Sequence, residues 1–352
     1  MKKGIILAFL AGAVCLTSCN SNDDDNRVEP SVKKEVLGAN DAQLFNQELA
    51  KFKETAGFKK ASTEVALAAQ INGAYESSTS DQLVGLFTDL APYVGQAEQF
   101  QNWLATSKNG IEDFAEPGKA GKLGNRIVNA KGVETFMLYK KGITGGLQIH
   151  NITERIKSIK QGQDVQENLN ELLGYLFGVD NFSVTTNSKG KFQLIVDGNE
   201  KARPKNELLR YINQVSENEK TPILANIVSA VNTASTNIKD QKKLNQSLDV
   251  ISESVAKILA LRAVHYFDEF VDELSSEDKR VTAVHEMSEG LGFVYGLQFS
   301  YNPATGEPYF SNQEVADYVN SIDFWNAREA KVKLDEIANE LAKRLKFNRK
   351  DA

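Results

Sequence analysis

A polar-then-glycine stripe that occurs twice constrains this chain more than any other feature. In the segment 281–299, Val284, Met287, Leu291 and Val294 fall at steps of three, four and three, the period of one buried helix face. One residue along, His285, Glu289, Gly292 and Gly296 stand at offsets 0, +4, +7 and +11, so a second stripe offers two polar groups and then two positions with no side chain to hold a neighbour away. Glu167, Glu171, Gly174 and Gly178 repeat those offsets without a gap, and Tyr175 and Phe177 stand where Phe293 and Tyr295 do. The spacing predicts two related halves, each with a core helix whose glycines mark a close crossing.

The sequence between and around the stripes reads as helical. Phe45, Leu49 and Phe52 share one face of a helix that Asn40 or Asp41 can cap, and Thr79 or Ser80 opens another that carries Leu83, Leu86, Phe87 and Leu90 and ends at Pro92. Phe100, Trp103 and Leu104 mark a third. Val133, Phe136, Met137, Ile143 and Leu147 mark a long helix reaching His150, interrupted by Gly142, Gly145 and Gly146. Glycine costs about 1 kcal/mol in a helix interior relative to alanine, so this cluster implies a tight crossing or a break. Leu244 to Leu259 opens a longer helix that runs on to His265 and Phe270; Ser311 with Glu314 suits a capping box, and Ile337, Leu341 and Leu345 close the chain. Only 182–186 and 192–196 change to a strand period, about a turn at 187–190. The expected fold is all-α: two pseudo-symmetric helical bundles from an internal duplication, 41–180 and 205–352, with one short β-hairpin insertion at 181–204.

Met1-Lys2-Lys3 and the apolar run to Val14 form a positive start and a hydrophobic stretch too short to span a bilayer, which is a targeting segment. Leu16-Thr17-Ser18-Cys19 resembles the lipobox of bacterial lipoproteins, implying removal of residues 1–18 as a signal peptide, lipidation of Cys19, a flexible tether over 19–40 and a membrane anchor through the lipid. Asn20 to Asp25 resembles the acidic tag that takes some Gram-negative lipoproteins to the outer face of the outer membrane. Cleavage would take Lys2 and Lys3 from the 41 basic residues and leave 39 against 47 acidic ones, a formal charge of −8. No basic field remains to draw nucleic acid. With Cys15 removed and Cys19 acylated, disulfides, thiolate metal sites and a cysteine nucleophile are excluded.

In order, the lipobox, Lys141-Gly-Ile-Thr-Gly-Gly146, Asn170-Glu-Leu-Leu-Gly-Tyr175 and Val284-His-Glu-Met-Ser-Glu-Gly-Leu-Gly-Phe293 resemble an uncharacterised family of all-helical envelope lipoproteins, distantly similar to the imelysin-like proteins. That resemblance implies two helical bundles and an association with iron uptake, with a peptidase classification as the other possibility. Imelysin-like proteins carry a Gly-x-His-x-x-Glu motif; at the matching positions this chain has Ala283 and Ser288 around His285, and Ala263 and Asp268 around His265.

Were the stripes to face each other through their glycines, Glu167, Glu171, His285 and Glu289 would form one cluster, and three carboxylates with an imidazole suit iron, manganese or zinc. The plainer reading, which we take as the default, has His285 hydrogen-bonded between packed helices and fixing their register. His265 with Asp268 or Glu269 is a second pair at helical spacing, and His150 is read as structural. A zinc peptidase needs a second histidine one turn after His285-Glu286, where Glu289 stands instead. No Gly-x-Ser-x-Gly elbow occurs, and the glycines of 116–124 lack phosphate-loop spacing. The expected function is a lipid-anchored envelope binding or accessory module, for iron, haem or other metal acquisition beside an outer-membrane transporter. An imelysin-like metallopeptidase and a non-catalytic structural partner of a membrane receptor are the alternatives.

Overall fold

Each glycine stripe is pressed against a third helix, and that contact organises the molecule. The structure, a computed structural model, describes residues 38–352 apart from 109–110, 218–221 and 275–278. Cys19, the targeting segment and the tether up to residue 37 therefore lie outside the described residues. Helix α7 (Val165–Phe177) packs on α2 (Ala56–Ala74), and α11 (Arg280–Gly296) packs on α5 (Thr135–Ile143). Each stripe helix also lies against the helix before it, α6 (His150–Lys160) for α7 and α10 (Gln241–Glu273) for α11.

The glycines show why the stripes do not meet one another. A Cβ at Gly174 would stand 2.7 Å from the Cβ of Ala61, and one at Gly292 would stand 2.7 Å from the Cβ of Lys141 and 2.9 Å from the Met137 carbonyl oxygen. Gly178 is closed off by Ser62 and Gly296 by Gly145. The space each glycine frees is thus filled by α2, by α5 and the π-helical turn that follows it, or by α10, which corrects the expectation of stripe facing stripe.

The three glycines after Met137 serve both purposes that the sequence allowed. Helix α5 continues through a π-helical turn, Thr144–Ile149, into α6. Within that turn a Cβ on Gly145 would lie 2.2 Å from the Cα of Gly296. The ladder widens where the backbones cross most closely, a common position for a π turn.

The other helices wrap this centre: α1 (Ala39–Lys53), α3 (Ser80–Thr88), α4 (Ala97–Thr106), α8 (Glu207–Glu217), α9 (Ile223–Thr236), α12 (Asn312–Ser321) and α13 (Ala327–Arg344). The 33 residues of α10 reach roughly 50 Å and touch α6, α8, α9, α11 and α13. Buried apolar residues of both proposed halves form one continuous core. Thr79 with Gln82 and Ser311 with Glu314 close capping boxes, the second as the sequence predicts. Helix α1 starts at Ala39 rather than after Asn40, because Asp41 reaches back to accept from the Gly38 N–H at 2.9 Å.

The hairpin between the halves has the predicted limits, β3 (Phe182–Thr186) antiparallel to β4 (Phe192–Val196), with Phe182 opposite Val196. Asn187 Oδ1 accepts from the N–H groups of Lys189 and Lys191, and Gly190 takes the left-handed conformation the turn needs. A second, smaller hairpin, not marked by a strand period in the sequence, pairs β1 (Gly121–Leu123) with β2 (Arg126–Val128). Three residues per strand are too few to show alternation.

The crossing yields a direct test. Gly145→Ala forces a methyl onto Gly296 and should destabilise by about 1–3 kcal/mol, whereas Gly73→Ala, with open space around the new Cβ, should stabilise by about 0.5–1 kcal/mol. Thermal or urea melts of the two variants will show opposite signs.

Candidate functional site: a closed charge network on the second stripe

Lys141 is the residue the second stripe closes around. It lies on the face of α5 that meets α11 and is 3% exposed. Its Nζ is 3.0 Å from Glu289 Oε1, donates to the Tyr211 hydroxyl at 3.2 Å and to that of Tyr266 at 3.5 Å. The rings of Tyr211, Tyr266 and Phe293 lie with their centroids 5.4, 5.3 and 5.7 Å from the same nitrogen. One ammonium therefore has a carboxylate, two phenolic oxygens and three aromatic rings as its solvent.

From this centre the network runs outward in both directions. Tyr211 donates to Glu207 at 2.8 Å and accepts from Arg210 at 2.7 Å. On the other side Glu289 Oε1 lies 3.4 Å from His285 Nε2, and His285 Nδ1 meets Glu134 Oε2 at 2.8 Å. Arg126 stands 3.6 Å from the other oxygen of Glu134. Ser288, beside the stripe, donates to Val284 and accepts from the Glu134 N–H, so α11 and the start of α5 are also tied through backbone. His285 thus lies between Glu289 of its own helix and Glu134, the residue that caps α5.

Electrostatics follow the burial. Burial lowers the Lys141 amine to about 8 although Glu289 pulls it back up. Burial raises the Glu289 carboxyl, but Lys141 and His285 outweigh it and hold the group below its ordinary value. At neighbouring Glu286 burial and then the charges of Glu289 and Glu269 outweigh the pull of His285 and push the carboxyl to about 7.

The first stripe uses the same device nearer the surface. Glu171 Oε1 accepts from Lys60 of α2 at 3.0 Å and Oε2 from Arg155 of α6 at 2.6 Å. Burial pushes the Glu171 carboxyl up, and hydrogen bonds from Lys60 and Arg155 bring it below its ordinary value. Glu167 is exposed at the helix start and accepts from Asn170 at 2.9 Å. A turn further along, Tyr175 donates to Glu64 of α2.

The expected cluster of Glu167, Glu171, His285 and Glu289 is therefore not assembled. Glu171 and Glu289 each have a lysine from a different third helix, because the glycines that would have brought the stripes together are covered by those helices. Of the two partners offered for His265, Glu269 is the one in contact, 3.2 Å from Nε2 and one helical turn away, while Asp268 accepts from Arg349 at 2.7 Å. His150 packs edge-on against Phe299.

These donor sets do not fit a metal ion. Both oxygens of Glu171 are engaged by cations, and the position a divalent ion would take beside Glu289 holds the ammonium of Lys141. Among the described residues, no group of three or more His, Cys, Asp or Glu is placed to hold one. The Lys141 amine is enclosed by its own partners. Sequence reasoning missed Lys141, Glu134 and Tyr211. The signal available was a lysine on the face of a helix otherwise occupied by Met137, Thr144 and Gln148.

Two outcomes follow from a buried ion pair. Glu289→Gln leaves the ammonium without its carboxylate and should cost about 3–5 kcal/mol, while the double replacement Lys141→Met with Glu289→Leu should cost far less. Denaturant unfolding of the three proteins measures both. Because the folded amine has its pKa at about 8 and the unfolded one at 10.5, the unfolded chain binds more protons between those values. The wild type should therefore gain stability relative to Lys141→Met as pH rises from about 8 to 10.5, and a flat difference across that window would contradict the burial argument.

With the geometry established, comparison with known proteins adds one assignment. No curated protein and no solved structure matches the chain. A family model described as a domain of unknown function, DUF4856, matches residues 18–348. The chain belongs to the DUF4856 family, whose match takes in both stripes and every element that holds them.

Proposed function

We propose that this chain is a lipid-anchored envelope protein that works by contact, as an accessory to an outer-membrane transporter or receptor, with its buried charges serving structure. The observation that carries the reading is Lys141: the most chemically suggestive centre is closed by an ammonium at 3.0 Å from Glu289 and is unreachable by a substrate. Supporting it are the positive start, apolar run and lipobox-like Leu16-Thr17-Ser18-Cys19. Two of the surface depressions carry no acid–base pair, whereas one of about 490 Å³ has Lys53, Lys59 and Asp180 on its wall and one of about 380 Å³ has Glu200 and Lys201. A groove of about 550 Å³ between α1 and β3 is lined by Ala42, Gln43, Asn46 and Thr185 among others, with no titratable side chain. A cleft of about 300 Å³ beside Trp103 and Tyr295 has Lys131 at its edge but no carboxylate or histidine.

Under this reading iron or haem capture would depend on the partner, and among the described residues no group of three or more His, Cys, Asp or Glu stands ready to serve a metallopeptidase. The anchor is tested by feeding cells an isotopically labelled fatty acid and fractionating them. Wild type should carry label and sediment with the outer membrane, and Cys19→Ala should lose both properties. An unlabelled wild type, or a variant that still sediments, removes the anchor from the account. Contact is tested by mild crosslinking in intact cells, where the anchored chain should be joined to an integral outer-membrane protein and Cys19→Ala should not.

A further inference from the structure

We propose that one water molecule is a resident part of the fold, held between α2, the π turn and the start of α8. A cavity of about 10 Å³ lies there, lined by Ala68, Asn72, Thr144, Gln148, Lys205 and Glu207 among others. Thr144 is 1% exposed, and its Oγ1 has no hydrogen-bond partner in the protein. Asn72 faces the same cavity from α2, and both its Oδ1 and its Nδ2 are buried without a partner.

Three such atoms around one cavity are not a tolerable accident. A buried polar group left unpaired costs about 1–3 kcal/mol, and a whole domain is stable by only about 5–15 kcal/mol. A threonine inside a helix commonly returns its hydroxyl to the carbonyl four residues back, and Thr144 makes no such bond. It is the first residue of the π turn and shares the cavity wall with Asn72.

The chemistry of the cavity selects its guest. Asn72 presents one acceptor and two donor hydrogens, and Thr144 can do either, so a molecule that both donates and accepts satisfies all three atoms at once. The volume suits one water and nothing larger. An ion is disfavoured because the one carboxylate on the wall, Glu207, is already paired with Arg210 and Tyr211. The water would join helix α2, from the first half, to the π turn that makes the closest backbone crossing with the second.

The isosteric variant Thr144→Val decides the matter by its sign. If the hydroxyl is unpaired, replacing it with a methyl removes a penalty and the melting temperature of the full chain rises. If water bridges it to Asn72, the methyl strands the guest and the melting temperature falls by about 2–4 °C. We expect the fall, with Thr144→Ser keeping most of the wild-type value. A rise or no change overturns the proposal. Independently, a high-resolution crystal structure of the wild type should show one solvent peak within about 3.2 Å of Thr144 Oγ1 and an Asn72 amide atom. That peak should vanish in Thr144→Val, and an empty or metal-filled cavity in the wild type also overturns the proposal.

Discussion

The structure depends on an ammonium buried where two helix backbones nearly touch. Lys141 enters the crossing of α5 and α11 because Gly292 leaves room for its Cβ, and once inside it has no water to turn to. Glu289, Tyr211 and Tyr266 then become obligatory, since an unpaired charge at that depth would cost several kcal/mol. The glycine, the lysine and the glutamate are one device. Remove the glycine and the lysine cannot enter; remove the glutamate and it cannot stay.

The same device occurs twice, and this gives the sequence repeat a physical meaning. At the first stripe a lysine followed by a small residue, Lys60-Ala61, meets Glu171 and Gly174; at the second, Lys141-Gly142, which also comes from the first half of the chain, meets Glu289 and Gly292. Both ion pairs measure 3.0 Å. Their surroundings differ: Lys60 is half exposed, so its pair is screened and weak, whereas Lys141 is enclosed. The difference in depth explains why only the second pair is built into a wider network with His285 and Glu134.

Much of the fold was legible in the sequence, and the misses have physical causes. Long helices with a strong apolar period, such as α10 and α13, and the hairpin between the halves follow from local patterning alone. Helix α2 did not, because its alanines and its buried Phe58, Val65 and Ile71 are spread too evenly to mark a face. That omission determined the error at the site. Without α2 on the page, Gly174 and Gly178 had no partner except the other stripe, and Glu171 had no lysine. The glycine offsets correctly announced close crossings, but a missing side chain states only that something approaches, never which helix. His285 could be placed on a polar stripe from spacing; that Glu134, 151 residues earlier in the chain, would receive its ring was a matter of tertiary packing.

The central claim is that Lys141 occupies the place a metal ion would need. Soaking crystals of the protein in manganese or zinc and recording anomalous scattering examines it most directly. The account predicts ammonium density within hydrogen-bonding distance of Glu289 and no anomalous peak between Glu289 and His285. A metal peak at that position, with the Lys141 side chain displaced from Glu289, would contradict it.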